Sequence, residues 1–446
     1  MRVAIVGSGP AGFYAAEALL KRTDAPVDVD MFDRLPTPYG LVRGGVAPDH
    51  PKIKAVARVF AGTAARASFR FLGNVQLGRD VTVEDLRRHY HQIVYATGNE
   101  ADRRLGIPGE GIARCTPASV FVGWYNGHPD YRRALFDLSV RRVAVVGAGN
   151  VALDVARMLL RTPGELERTD VAAHALEALR ESRVREVFVI GRRGPAQAAF
   201  SPAELKELTG MEAADPVVDA ADLAGCPEAG PGSALELLRS FATWPPRRDA
   251  GKLHLRFLRS PIEIVADAGG GVAGLVLEKN RLESRADGTV VARGTGERET
   301  LEVGMVLPAI GYAGDPIPGV PHDEKARVIA NDDGRVVDPV RGTVVPNEYV
   351  VGWARSGPHG LIGEHKRASA HVVEHMIADG AGLEARALPP REAIDDLLRG
   401  RGVRLVSFHD WKLLDDVEVA RGVRRGAPRD KIVDVEAMLA ILAEGR

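Results

Sequence analysis

The chain alternates short β-branched runs with glycine-rich turns and longer segments whose apolar positions recur at helical spacing. Its clearest unit is "RVAIVGSGPAG" at residues 2 to 12, followed by "FYAAEALLK". The same order returns as "RVAVVGAGNVA" at 142 to 152, followed by "LDVARMLLR". A continuous apolar run closed by glycine reads as a buried strand, so each copy predicts strand, tight turn and helix. Second strands are expected at "VDVDMF", which runs into Asp33, and at "EVFVI", which runs into "GRR". The second interval, from Gly147 to Arg192, is about twice the usual length, and an extra helix in "DVAAHALEALRESRV" is expected to fill it. "QIVYATGNEADRRLGIPGE", residues 92 to 110, reads as strand, turn and a Pro/Gly crossing between two units. Residues 210 to 233 read as a loop-rich excursion. Residues 253 to 307 read as an antiparallel meander turned at "AGGG" and Asp287-Gly288, and "VGMVLPAIGY" as a returning buried strand.

Composition narrows the class. A chain of 446 residues with 45% apolar content can build two to three ordinary cores without disulfides or metal. The formal charge of -1 makes any basic feature local and argues against a nucleic-acid partner. Cys115 and Cys226 lie far apart and outside any CxxC, so a disulfide framework, a zinc site and a redox dithiol lack their residues, and no metal is expected. The N-terminus opens directly on a strand and no segment has eighteen consecutive apolar residues. A cytoplasmic protein without membrane insertion is expected.

The two glycine turns carry the chemistry. Gly7, Gly9 and Gly12 in the first, and Gly147 and Gly149 with Ala152 in the second, stand between strand and helix. There, backbone N–H groups and the positive end of the helix dipole can hold a pyrophosphate. Two such turns in the same context predict two dinucleotide sites. Asp33 ends the first unit's second strand, where a carboxylate takes the ribose hydroxyls of an unphosphorylated adenosine. Arg192 and Arg193 replace it in the second unit, where paired guanidiniums would bind a 2'-phosphate and select NADP over NAD.

With both turns, the "YATG" turn and the returning "AIGY", the chain resembles a flavoprotein with two dinucleotide-binding domains, FAD in the first and NADPH in the second. The disulfide-reductase relatives need a CxxC, which is absent. The segments "LPTPYGLVRGGVAPDHPKIK", "FVGWYNGHPDY", "VIGRRGPAQAAFSPAELKEL", "RFLRSPIEI" and "NEYVVGWARSGPHGLIG" narrow the resemblance to adrenodoxin-reductase-type ferredoxin:NADP reductases. That resemblance implies an α/β fold of two Rossmann-like, three-layer domains, glutathione-reductase-like without the dimerisation domain. It implies a discontinuous FAD-binding domain, 1–104 and 313–446, around an NADP-binding domain, 105–312. By position, the FAD site would fall on Ala11, Asp33, Leu41, Leu77, Trp353, Gly360, Leu361 and Ile362. The NADP site would fall on Arg103, Ala148, Gly149, Asn150, Val151, Arg192, Arg193, Glu204 and Gly360. His359 departs from the small hydroxyl residue expected in the family.

The implied activity is hydride transfer from NADPH to flavin, followed by single-electron transfer to a ferredoxin-type iron–sulfur protein. The resemblance also brings Asp49, His50 and Glu207 near the rings as proton-handling groups; a histidine suits such a relay near neutral pH. An acidic partner would dock on a basic face, for which "WPPRRDAGK" (Arg247, Arg248, Lys252) and "RGVRRGAPRDK" are candidates. A glutamate-synthase-type flavoprotein subunit and a non-catalytic, NADPH-responsive flavoprotein module remain alternatives.

Overall fold

The computed structural model describes residues 1–22, 26–247, 249–360 and 362–444. Strands β1 (Arg2–Val6), β2 (Asp28–Asp33), β3 (Phe69–Gly73) and β4 (Gln92–Tyr95) form one parallel sheet. Three strands from far along the chain complete it: β17 (Asn331–Asp332), β18 (Arg335–Asp338) and β19 (Thr343–Val350). The order is β17-β18-β19-β4-β1-β2-β3, with β19 parallel to β4. Val3, Ala4 and Ile5 have no exposed surface, as expected for a parallel strand covered on both faces. The helices Pro10–Leu20 and Glu364–Asp379 cover one face, where Phe13 stacks on Phe60 at 4.9 Å. Phe32, Leu86, Tyr95 and Leu398 fill the other.

The second unit contains β6 (Arg142–Val146), β7 (Glu186–Ile190), β8 (Ala214–Val218), β9 (Gly251–Arg256) and β13 (Met305–Pro308). All pair in parallel, in the order β13-β6-β7-β9-β8. An antiparallel ribbon of β10 (Arg259–Ala266), β11 (Val272–Ser284) and β12 (Val290–Glu302) covers one face, packing Ile264, Leu275 and Leu277 on Ala144, Val146 and Phe188. The helix Asn150–Leu160 covers the other through Leu153, Ala156 and Leu159. The architecture is therefore two Rossmann-like parallel-sheet units in three layers. The chain crosses between them twice, and β5 (Ala101–Asp102) pairs there with β14 (Tyr312–Ala313).

The extra helix lies at Ala173–Arg180. Two sequence expectations need correction. The excursion 210–233 contains β8, an edge strand whose Asp215 and Pro216 mask its apolar character; proline is tolerated there because an edge strand need not donate. The meander begins at Arg259, because β9 is parallel and central. Its alternation of buried Leu253 and Leu255 with outward Lys252 and His254 resembles a half-exposed antiparallel strand. Among the described residues no helix is long and apolar enough to cross a membrane.

A buried charge cluster joins the units. Asp170, from the second, accepts from Lys54 Nζ at 2.7 and 2.9 Å and lies 3.0 Å from Lys431 Nζ. Both ammoniums also donate to Asn126 Oδ1, at 3.2 and 3.3 Å. Burial lowers the pKa of both lysines, and Asp170 opposes that effect. Removing the carboxylate leaves two buried cations without their counter-ion, so Asp170→Ala should cost about 3–5 kcal/mol. Equilibrium urea unfolding checks this; a midpoint like that of the unsubstituted protein would show the cluster to be energetically neutral.

Candidate functional site

The carboxyl ends of β1 and β6 open on one cavity of 1010 Å³ between the units. At each end the glycines divide into two kinds. Gly7 has φ +106°, and a Cβ there would stand 2.3 Å from the Ala96 carbonyl oxygen; one on Gly12 would stand 2.3 Å from Gly7 O. Gly147, with φ +150°, would meet Ala309 O at 2.2 Å. Those positions serve close packing of the chain on itself. Around Gly9 and Gly149, by contrast, a Cβ would meet nothing within 4 Å, and both line the cavity. Each is the N-cap of its helix, and neither helix has a side-chain cap. The orphan N–H groups and the helix dipole therefore face open space, the arrangement that binds a pyrophosphate.

Asp33 lies beside the first turn. Its Oδ2 accepts from Ser8 N at 2.9 Å and from Ser8 Oγ at 2.5 Å, and its Oδ1 from Leu35 N at 2.9 Å. The carboxylate is thus fixed at the end of β2, facing the cavity. Arg192 and Arg193 follow Gly191, which packs on Ala148 of the second turn. Both are exposed, and neither guanidinium has a protein partner among the described residues. Their backbone is held instead: Asn280 Nδ2 donates to Arg192 O at 2.8 Å and Leu258 N to Arg193 O at 3.1 Å. Two guanidiniums on a held backbone, unpaired among the described residues, leave their positive charge free to meet an anion.

At the far wall Trp353 stacks on Tyr312, with centroids 5.7 Å apart, and its Nε1 donates to His359 O at 3.1 Å. Gly352, with φ +67°, brings this turn against Ala11. Asn99, 5% exposed, lines the same cavity with neither amide atom hydrogen-bonded. A buried amide offering a donor and an acceptor to a cavity suits a heteroaromatic or carboxamide ligand.

Of the sequence candidates, Gly7, Gly9, Ala11, Asp33, Leu41, His50, Gly149, Asn150, Val151, Glu204, Trp353, Gly360 and Ile362 line the cavity. Gly12, Asp49, Ala148, Arg103, Arg192, Arg193 and Glu207 are not among its lining residues. Arg103 Nε donates to Tyr312 O at 3.1 Å. Leu77 belongs to the apolar cluster with Val75, Val81 and Val83 and is not among the residues that line the cavity. Leu361 and Arg248 lie outside the described residues. The two basic runs are largely committed to structure. Arg247 pairs with Asp215 at 2.6 Å and donates to the carbonyls of Met211, Glu212 and Ala214. In the other run, Arg429 binds Asp415 and Glu418, and Lys431 is buried on Asp170.

Sequence reasoning missed the centre of the site. Arg157 is fully buried and donates to Asp49 at 3.0 Å, Asp154 at 2.7 Å and Glu204 at 3.0 Å. Its Nη2 also contacts His50 Nε2. His50 in turn lies 3.2 Å from Asp154, 3.3 Å from Glu204 and 3.5 Å from Glu207. The signal was present in "NVALDVARMLLR", where Asn150, Asp154, Arg157 and Arg161 form one polar stripe on a helix otherwise apolar.

Burial alone would lower the pKa of His50, but its contacts with Asp154 and Glu204 prevail and push it up to about 10. Burial raises Glu207 despite His50 and Arg157. Because His50 is raised when folded, its stabilising contribution is complete below about 6.5 and is lost as pH climbs towards 10. The unsubstituted protein should therefore lose stability between those pH values more steeply than His50→Gln, by urea midpoints at matched ionic strength. Parallel slopes would place the histidine's proton elsewhere.

A profile of the family described as "Pyridine nucleotide-disulphide oxidoreductase" matches residues 1–188. The NADPH-ferredoxin reductase FprA of Mycobacterium tuberculosis is 43% identical over 456 residues, covering 98% of both chains. Human mitochondrial NADPH:adrenodoxin oxidoreductase is 44% identical over 462 residues, covering 99% of this chain and 92% of the other. The structure of Mycobacterium tuberculosis FprA in complex with NADPH superposes with a TM-score of 0.94 at 41% identity, covering 99% of both chains.

Proposed function

This chain belongs to the NADPH-dependent ferredoxin reductases of the adrenodoxin-reductase type, and we propose how its residues serve that activity. It is an oxidoreductase that takes hydride from NADPH onto FAD and passes single electrons to a ferredoxin-type iron–sulfur protein. The observation that carries the residue assignment is the pair of open glycines, Gly9 and Gly149, each capping a helix that faces one cavity.

The site fits both cofactors. The first turn, with Gly7, Gly9 and Ala11, would hold the FAD pyrophosphate, Asp33 its ribose, and Leu41, Trp353, Gly360 and Ile362 the ring end. The second turn, from Ala148 to Val151, would hold the NADP pyrophosphate, and Arg192 and Arg193 its 2'-phosphate. Bound there, the two cofactors supply the hydride and one-electron chemistry. The chain's own part is positioning, exclusion of water and proton storage. Asp154 and Glu204, against the opposing charge of Arg157, keep His50 charged at neutral pH, so it offers a proton at the cavity wall while Asp49 anchors the guanidinium from the first unit. The proposed domains are 1–104 with 313–446 for FAD and 105–312 for NADP; the β5–β14 pair at both crossings supports this division. The proposed compartment is the cytoplasm, where free thiols such as Cys115 and Cys226 persist. The observation against a non-catalytic module is the ionised cluster at the cavity, which mere nucleotide binding does not require.

Anaerobic stopped-flow spectroscopy tests the activity: NADPH should bleach the flavin, and an oxidised ferredoxin should restore its absorbance. A flavin that NADPH leaves oxidised would overturn the reading.

Arg192→Ala/Arg193→Ala tests the nucleotide assignment. Each charge-assisted hydrogen bond is worth about 1.5–3 kcal/mol, so the NADPH KM should rise at least tenfold. Because the 2'-phosphate is remote from the hydride, kcat should change little. NADH turnover should be unchanged or higher. Equal losses with both nucleotides would make the arginines structural.

A further inference from the structure

Outside the cofactor cavity, one side-chain cluster has no part in the activity. His371 and His375 stand one turn apart on the helix Glu364–Asp379, and Asp333 faces them from the turn between β17 and β18. Asp333 Oδ2 lies 2.8 Å from His371 Nε2 and 3.5 Å from His375 Nε2. One donor atom from each residue falls within 4.8 Å of the others. In a tetrahedral zinc site with bonds near 2.0–2.1 Å, neighbouring ligand atoms stand roughly 3.3 Å apart; the two distances bracket that value. Two imidazoles at i and i+4 on a helix are the usual helical arrangement for sharing one cation.

The surroundings of the three residues point the same way. His375 Nδ1 lies 3.1 Å from the Asp333 backbone carbonyl and His371 Nδ1 3.7 Å from Glu374 Oε2. Backbone carbonyls and carboxylates at Nδ1 are the partners that fix a metal-binding tautomer with Nε2 free. Arg355 holds Asp333 through Oδ1, leaving Oδ2 turned towards the imidazoles. A neutral imidazole has one N–H. In His375 both nitrogens face oxygens of Asp333, at 3.1 and 3.5 Å, so in the neutral ring one lone pair opposes another unless a proton or metal ion lies between. A cation bound by both Nε2 atoms and Oδ2 satisfies all three ligands together.

We propose that Asp333, His371 and His375 bind a borderline divalent cation of the zinc type, with a fourth position open to water. This departs from the sequence expectation of no metal, which considered only the cysteines; the overlooked signal was "HVVEH". The ion would link the β17–β18 turn to the helix Glu364–Asp379. Arg355, which holds the ligand carboxylate, lies on the short helix beginning at Trp353, so the site adjoins the cavity wall without entering it.

The test titrates FAD-loaded protein with Zn²⁺ against a chromophoric chelator. One equivalent should resist the chelator in the unsubstituted protein. His371→Gln and His375→Gln should each weaken its binding tenfold or more, and the double variant should lose it. Glu374→Gln, which alters only a 3.7 Å contact outside the ligand set, should retain the bound equivalent. Zn²⁺ should raise the Tm of the unsubstituted protein but not of the double variant, because a ligand stabilises only the state that binds it. Co²⁺ should give tetrahedral visible bands that the double variant lacks, a readout independent of both affinity and activity. Equal Zn²⁺ affinity in the unsubstituted protein and the double variant, or no retained equivalent in either, would overturn the proposal. Neither outcome bears on the NADPH and ferredoxin reading, which the flavin bleaching tests separately.

Discussion

One guanidinium joins what the two sheets would otherwise keep apart. Arg157 has no exposed surface, so its charge must be balanced by neighbouring carboxylates; Asp49 comes from the first unit, and Asp154 and Glu204 from the second. An ion buried this deeply is tolerated only with near-complete hydrogen bonding. That requirement fixes the segment carrying Asp49 against the helix Asn150–Leu160. His50, the next residue along, is thereby placed between carboxylates at the cavity wall. The charge state of the histidine follows from the need to neutralise Arg157's partners.

The two nucleotide turns depend on the same seam. Each is locally determined, since a residue larger than glycine at Gly7 or Gly147 would collide with the backbone of a neighbouring strand. Whether they face one another is decided between the units. Arg157 and the Lys54–Asp170–Lys431 cluster set that relation with charges, whose directional contacts resist rotation more than an apolar interface would. An interface of this kind can hold two rings in a defined geometry while leaving the cavity between them open.

Much of this was legible in the sequence because it was local. Strand, glycine turn and helix are encoded by adjacent residues, so the two turns and the strand ends followed by Asp33 and the arginine pair could be read directly. What escaped depends on distant partners. Arg157 looks like an ordinary polar residue on an amphipathic helix until Asp49 arrives from more than a hundred positions away. β8 looks like loop because Asp215 and Pro216 interrupt it, yet Asp215 is neutralised by Arg247 and Pro216 sits on a sheet edge. Leu77 was assigned to the FAD site by position alone, and its side chain packs into an apolar cluster of the first unit.

Charge runs were the least informative feature, for a physical reason. The chain is nearly neutral overall, and Arg247, Arg425, Arg429 and Lys431 in the two suspected docking runs already hold carboxylates or carbonyls. A guanidinium with several structural partners has little left to offer a visiting protein. The same reasoning makes Arg192 and Arg193 stand out. They are adjacent, exposed and without partners among the described residues, on a backbone pinned by Asn280 and Leu258 at the end of β7. An anion that binds between them would gain from both charges at once. What distinguishes the pair proposed for the 2'-phosphate is therefore not positive charge itself but positive charge left unpaired, among the described residues, on a fixed backbone.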